Sequence, residues 1–229
     1  MEAAFIAALI LFFIMNKDIT YGIYMWLLAA LLFQYQKASI IDSILPDIFL
    51  GRIIFVFLAF MFIVQVLIGK RRIFSLTKIE YSMFLFCMFA VISMINTGTI
   101  VKEGGRLNIG QLLSGYVFPF SMFFISQNAY DSPEKRRGFI KFVILTGIYL
   151  SFTAIFEHFK IDKLVFPKYI LDVNFGIHFG RARGPFGQAA VNGTALGFAF
   201  SSIFYFLFNS DKGKIWRLYS MLLLAITPL

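Results

Sequence analysis

Two arginines, Arg181 and Arg183, stand in the stretch RARGPFGQAAVNGTALG (residues 181–197), directly before a long uncharged segment. A guanidinium keeps its charge at any working pH, and its planar fork can hold two phosphate oxygens at once. Gly184 and Gly187 let a backbone approach a ligand closely, and Pro185 stiffens the turn between them. Asn192, Gly193 and Thr194 are placed to open the following helix, whose free N–H groups and positive dipole end also favour an anion. The chemistry these types suggest is the holding of a phosphate or diphosphate. The competing reading is a pair of interfacial arginines that snorkel to lipid headgroups. Gly193 and Gly197 have GxxxG spacing, which points to a helix-packing face rather than to chemistry.

Other groups with chemical potential are few. Lys102, Glu103 and Arg106 lie in VKEGGRLNIG, where Arg106, beside Gly104 and Gly105, is a further candidate for the anion cradle; a solvated loop is the simpler reading. Asn108, Gln111 and Ser114 recur at helical steps and draw a polar stripe along one face. His158 and His178 are the two histidines. A histidine can serve as a general base near neutral pH, yet neither has a carboxylate pattern around it that would make a metal site. Glu157 reads as an interfacial charge at a helix end, the alternatives being a pairing with a loop cation or a proton acceptor. Cys87 is the single cysteine, so there is no intrachain disulfide and no cysteine metal site to expect. No residue is assigned a catalytic step, and neither a metal nor a cofactor is expected.

The elements that must position these residues are written in the composition. The 229 residues are 59% hydrophobic and 14% charged, and the apolar residues come in long blocks with the charge confined between them. A bilayer core of about 30 Å calls for roughly 20 apolar residues per helix, whereas barrel strands would alternate in short segments. The fold class expected is therefore all-α, a polytopic helical membrane protein. The blocks run over residues 3–15, 19–33, 48–68, 81–96, 107–127, 139–156 and 189–208, with an incomplete one from Tyr219, giving about seven or eight spans. The first two are short and read as a tight pair around NKD or as one interrupted element. Met1–Met15 lacks the basic start of a cleaved signal. The whole chain, 1–229, reads as a single transmembrane domain.

Orientation follows from the short basic loops. Lys70, Arg71, Arg72 and Lys78 form one cluster, Lys135, Arg136, Arg137 and Lys141 a second, and Lys212, Lys214 and Arg217 a third, each two spans from the last. All three face the cytoplasm in one consistent threading. The loops around residues 97–106 and 157–188 then face outward, which puts Arg181 and Arg183 where topology does not ask for positive charge. The net charge of +9 is accounted for by these clusters and by anionic headgroups, so nucleic acid is not expected as a partner.

The stretch RARGPFGQAAVNG resembles the R-x-x-G-x-F-G-(N/Q)-x-x-x-x-G signature of the O-antigen ligase and O-antigen polymerase-like superfamily. The place of the motif also fits, at the end of an outward loop and opening a span. The resemblance implies a metal-independent membrane glycosyltransferase of surface polysaccharide biosynthesis, multi-pass in the bacterial cytoplasmic (inner) membrane. Such an enzyme takes a glycan from an undecaprenyl-diphosphate carrier at the outer face and passes it to a glycan or lipid acceptor. Arg181 matches the motif arginine and Gly184 the motif glycine, so Arg181, Arg183 and Gly184, with Arg106 as a further candidate, are the expected diphosphate-binding residues. Members of the superfamily continue through further spans and a later outer loop carrying an arginine and a histidine. The resemblance therefore implies that this chain, which stops at SMLLLAITPL, is the N-terminal portion of a larger domain. The alternatives are a transporter of a small anion, for which the spans show no internal repeat, and an inactive truncated scaffold.

Overall fold

The computed structural model describes residues 13–33, 37–38, 48–71, 77–97, 112–177 and 181–209. The described residues are all-helical apart from a two-residue antiparallel pairing of β1 (Lys37–Ala38) with β2 (Ile48–Phe49). Contacts gather in two compact units, Met1–Asp131 and Ser132–Leu229.

The described part of the first unit opens on a helical stretch at 13–17, followed by α1 (Ile19–Leu32). Asp18 separates them and caps α1, its carboxylate accepting the Thr20 N–H at 3.0 Å. The break falls in the NKD stretch, and most of the first expected span, residues 3–15, lies outside the described residues. The apolar run of α2 (Leu50–Leu67) returns alongside α1, burying Ile54, Phe55, Leu58, Met61 and Phe62 against Met15, Ile19 and Ile23. A capping box opens α3 (Lys78–Asn96): the Thr77 side chain accepts from the helix while Glu80 reaches back to the Thr77 N–H at 2.6 Å. A π-helical segment, Leu113–Val117, runs straight into α4 (Phe118–Ala129). The widened turn sits just before Pro119, whose missing N–H and ring would otherwise clash inside a continuous helix.

One end of this unit is tied by polar groups. Gln65, buried, donates to the Met15 carbonyl at 3.1 Å, and Arg71 donates to the Gln65 side chain and to the Asn128 carbonyl, each at 2.8 Å. Lys70 donates to the Asn16 carbonyl at 2.8 Å, and Arg71 lies 3.8 Å from the Asp18 carboxylate. The NKD turn, the GKRR end of α2 and the end of α4 are thus at one end of the unit, as alternation of the loops requires. None of the 19 residues of α3 is buried. It borders an apolar cavity of about 690 Å³ lined by α2, α3 and α4, with Cys87 among its walls.

The second unit is a helical hairpin. The first arm, α5 (Pro133–His158), opens on Ser132, whose side chain accepts the Lys135 N–H at 3.3 Å; the second arm is α6 (Ala189–Asn209). They run antiparallel, since Lys141 lies over the Phe206 ring near one end and Gly147 meets Ala199 further along. A Cβ on Gly147 would come within 2.3 Å of the Ala199 Cβ, so the helices touch backbone to side chain there. The face of α6 turned to α5 carries Ala199, Ile203 and Phe206. Gly193 and Gly197 have no atom within reach of a Cβ among the described residues, so the GxxxG stripe is not the packing face between these two helices.

Among the described residues, four helices are long and apolar enough to cross a membrane: Leu50–Leu67, Lys78–Asn96, Pro133–His158 and Ala189–Phe206. Helix α1 is apolar but shorter. Most of the first expected span (residues 3–15) and the last, from Tyr219, lie outside the described residues, as do Lys212, Lys214 and Arg217.

Candidate functional site

The expected anion site lies on the connection from α5 to α6. That connection must leave α5 at His158, cross to the start of α6 at Ala189, and satisfy its own backbone on the way. Two short 3-10 turns, Lys168–Leu171 and Gly184–Phe186, give it local order, and Val165, Ile170, Phe175 and Pro185 are buried within it.

Arg183 organises this connection from inside. It is 1% exposed, the bulkiest of the fully buried side chains among the described residues. Its Nη2 donates to the carbonyls of Ile170 at 2.9 Å and Asp172 at 3.1 Å, and its Nη1 donates to the carbonyl of Phe175. The guanidinium carbon stands 6.0 Å from the Phe175 ring centroid. One charged fork thereby gathers three carbonyls of a turn that has no ladder of its own. The expectation that Arg183 presents its guanidinium to a diphosphate does not suit this placement: the group is turned inward and its donors face backbone oxygens.

Glu157, half-buried in the last turn of α5, holds the other side of the same residue. Its carboxylate oxygens accept the backbone N–H of Arg183 at 3.3 Å and that of Gly184 at 2.8 Å. Gly184 is buried with φ +56°, and a Cβ there would come within 2.7 Å of Asn192. Its N–H is directed at Glu157 rather than outward. Gly187 ends the 3-10 turn in the left-handed region, φ +67°, with its carbonyl accepting the Ile177 N–H at 2.9 Å. A Cβ on Gly187 would meet the Phe175 ring at 2.9 Å, so the motif glycines answer a close approach within the protein itself.

Arg181 is different. It is exposed, at the entry to the Arg183–Gly187 turn, and can meet a ligand without dismantling the fold. Helix α6 starts at Ala189, three residues before the Asn192 opening expected from sequence. Asn192 is instead buried in the first turn, donating to the Ala182 carbonyl at 3.2 Å, which fixes the residue between the two arginines. Tyr169 adds a donor to the Pro185 carbonyl at 3.3 Å. Burial, and to a lesser degree the nearby Tyr149, push its phenol well above the ordinary value, so it remains a neutral donor throughout the working range.

His158 is exposed and stands edge-on to Phe159. Arg106, Lys102, Glu103, Asn108, Gln111 and His178 lie outside the described residues. Among the described residues no group of histidine, cysteine and carboxylate side chains is arranged to hold a metal ion. The sequence reading missed the loop-forming roles of Glu157, Tyr169 and Phe175. Glu157 sits 26 residues before Arg183, a separation that no local motif bridges. No family model, curated protein or solved structure matches the chain.

Proposed function

We propose that the chain belongs to a membrane glycosyltransferase of the O-antigen ligase and polymerase-like kind, with seven or eight spans in the bacterial cytoplasmic membrane. Its part of the reaction is to hold an undecaprenyl-diphosphate-linked glycan at the outer face, before transfer to a glycan or lipid acceptor. The observation that carries this reading is the contrast between the two arginines. Arg183 is consumed in building the turn, and Arg181 is left exposed on that rigid turn beside the start of α6. A preformed support is what electrostatic stabilisation of a leaving diphosphate needs, because the donor then costs no reorganisation as charge develops. Arg181 would grip the diphosphate oxygens, Glu157 and Arg183 would position Arg181, and Gly184 serves the turn rather than the ligand.

The test is direct binding. The full chain in nanodiscs is titrated with undecaprenyl diphosphate, and Arg181→Ala is compared with the native protein. One charge-assisted contact is worth about 1.5–3 kcal/mol, so affinity should fall about tenfold to a hundredfold. Equal binding by both proteins removes Arg181 from the site. Uptake of a small labelled anion by proteoliposomes, with no lipid-diphosphate binding, replaces the reading with a transporter.

A further inference from the structure

The segment directly after α5, Phe159-Lys-Ile-Asp-Lys-Leu-Val-Phe166, does not look like a water-facing loop. Phe159, Ile161, Leu164 and Phe166 are between 42% and 64% exposed, four large apolar side chains within eight residues. The exposure is not for want of structure. Ile161 N–H donates to the Phe156 carbonyl at 2.8 Å, Leu164 N–H to the Ile161 carbonyl at 3.0 Å, and Val165 between the exposed residues is fully buried. The segment is folded with its apolar side outward.

Three further observations say what covers that side. First, Leu145, Phe152 and Phe159 are exposed at seven-residue steps, so the lipid-facing side of α5 points toward the segment. Second, α5 is long enough to cross a membrane, but its uncharged part is short. The uncharged stretch between Lys141 and Glu157 is 15 residues, about 22 Å at 1.5 Å per residue, against a hydrocarbon core of about 30 Å. Exposed apolar side chains beyond Glu157 lengthen that uncharged face. Third, the segment folds back along the helix: the Tyr149 hydroxyl donates to the Phe166 carbonyl at 2.6 Å, eight residues or about 12 Å below Glu157. A carbonyl taken to membrane depth must find a donor inside the protein, and Tyr149 supplies it. Lys160, Asp162 and Lys163 are exposed on the same segment, whose net positive charge matches anionic headgroups in sign.

We propose that residues 159–166 form a re-entrant wedge seated in the lipid at the headgroup boundary, at the end of α5 away from Lys135–Lys141. Phe159, Ile161, Leu164 and Phe166 enter the acyl region by about 5–10 Å, and Lys160 and Lys163 engage anionic lipid phosphates. The occupant is the bilayer itself, and the proposal is independent of what Arg181 binds.

The full chain carrying Cys87→Ser and Leu164→Cys is spin-labelled and reconstituted in vesicles of phosphatidylethanolamine and phosphatidylglycerol. Collision with oxygen, which concentrates in hydrocarbon, is compared with collision with a water-soluble nickel chelate. Ile161→Cys gives a second reading should Leu164→Cys fail to fold, and Asn174→Cys, on the polar part of the same connection, is the aqueous reference. Oxygen collision dominant at 161 and 164 but not at 174 is the result expected. Adding Lys160→Gln and Lys163→Gln should move the label toward water in anionic vesicles and not in purely zwitterionic ones. Nickel dominance at 161 and 164 overturns the proposal in favour of a solvated loop. Exclusion of both reagents overturns it in favour of a covering protein surface.

Discussion

Replacing Arg183 and replacing Arg181 should have opposite signatures. Arg183→Ala removes a fully buried guanidinium and leaves the carbonyls of Ile170, Asp172 and Phe175 without their shared donor. Each orphaned carbonyl costs about 1–3 kcal/mol, less whatever water can restore by entering the vacated space. Truncating one member of a buried charged cluster typically costs about 3–5 kcal/mol, and that is the expected local loss. At 1.4 kcal/mol per decade, opening of the α5–α6 connection should become about a hundredfold to a few thousandfold more frequent. Hydrogen exchange reads this at the Phe175 and Ile177 amides, which donate to the Asp172 and Gly187 carbonyls in the folded turn. Arg181→Ala, at an exposed position, should change exchange by less than threefold, in keeping with about 0.5 kcal/mol for surface substitutions. If Arg183→Ala exchanges like the native protein, or if both substitutions loosen the turn equally, the assignment of Arg183 to the fold and Arg181 to the ligand is refuted.

Other expectations are narrower. Glu157→Leu takes both acceptors from the Arg183 and Gly184 N–H groups and should make the chain several times more sensitive to trypsin at Lys160, Lys163 and Lys168; an unchanged digestion rate counts against the tie. Gly147→Leu drives a side chain into Ala199 and should lower the melting temperature in detergent, with a cost of about 1–3 kcal/mol, whereas Gly193→Leu should not; equal effects would misplace the α5–α6 contact. Arg71→Ala opens the polar tie between α1, α2 and α4, and a loss of about 2–4 kcal/mol should appear as a lower thermal midpoint of the purified chain. Single cysteines at Lys17 and Asn174, in a Cys87→Ser background, should react with an impermeant maleimide from opposite sides of sealed vesicles; reaction from one side overturns the threading.

The helices were legible in the sequence because lipid imposes a simple code: long uncharged runs separated by charge. The expected spans at 19–33, 48–68, 81–96, 139–156 and 189–208 meet helices whose ends differ by a few residues, mostly where polar caps such as Thr77, Glu80 and Ser132 extend them into the interface. The extra turn at the start of α4 was not legible, since a π segment answers a steric conflict at Pro119 and leaves no periodic mark. In the candidate site, residue type pointed to the right stretch but not to the direction of each side chain. Arg181 and Arg183 are both basic and two apart, yet one faces solvent and the other is buried among carbonyls. Only the fold of residues 157–177 around them decides that, through contacts 8 to 26 residues away.

The polar tie in the first unit also fixes an order of assembly. Arg71 finds Gln65 six residues back, but its partner at Asn128 lies 57 residues further along the chain. At synthesis rates of about 5–20 residues per second, the α1–α2 pair waits about 3–11 s before α4 is made and the tie can close. Over that interval Arg71 has Gln65 and Asp18 within reach and Gln65 has the Met15 carbonyl, before the Asn128 carbonyl exists to take the remaining donor. Residues usually read as a topological address therefore double as a latch, and a mutation there would first be felt as a slowed or misrouted insertion.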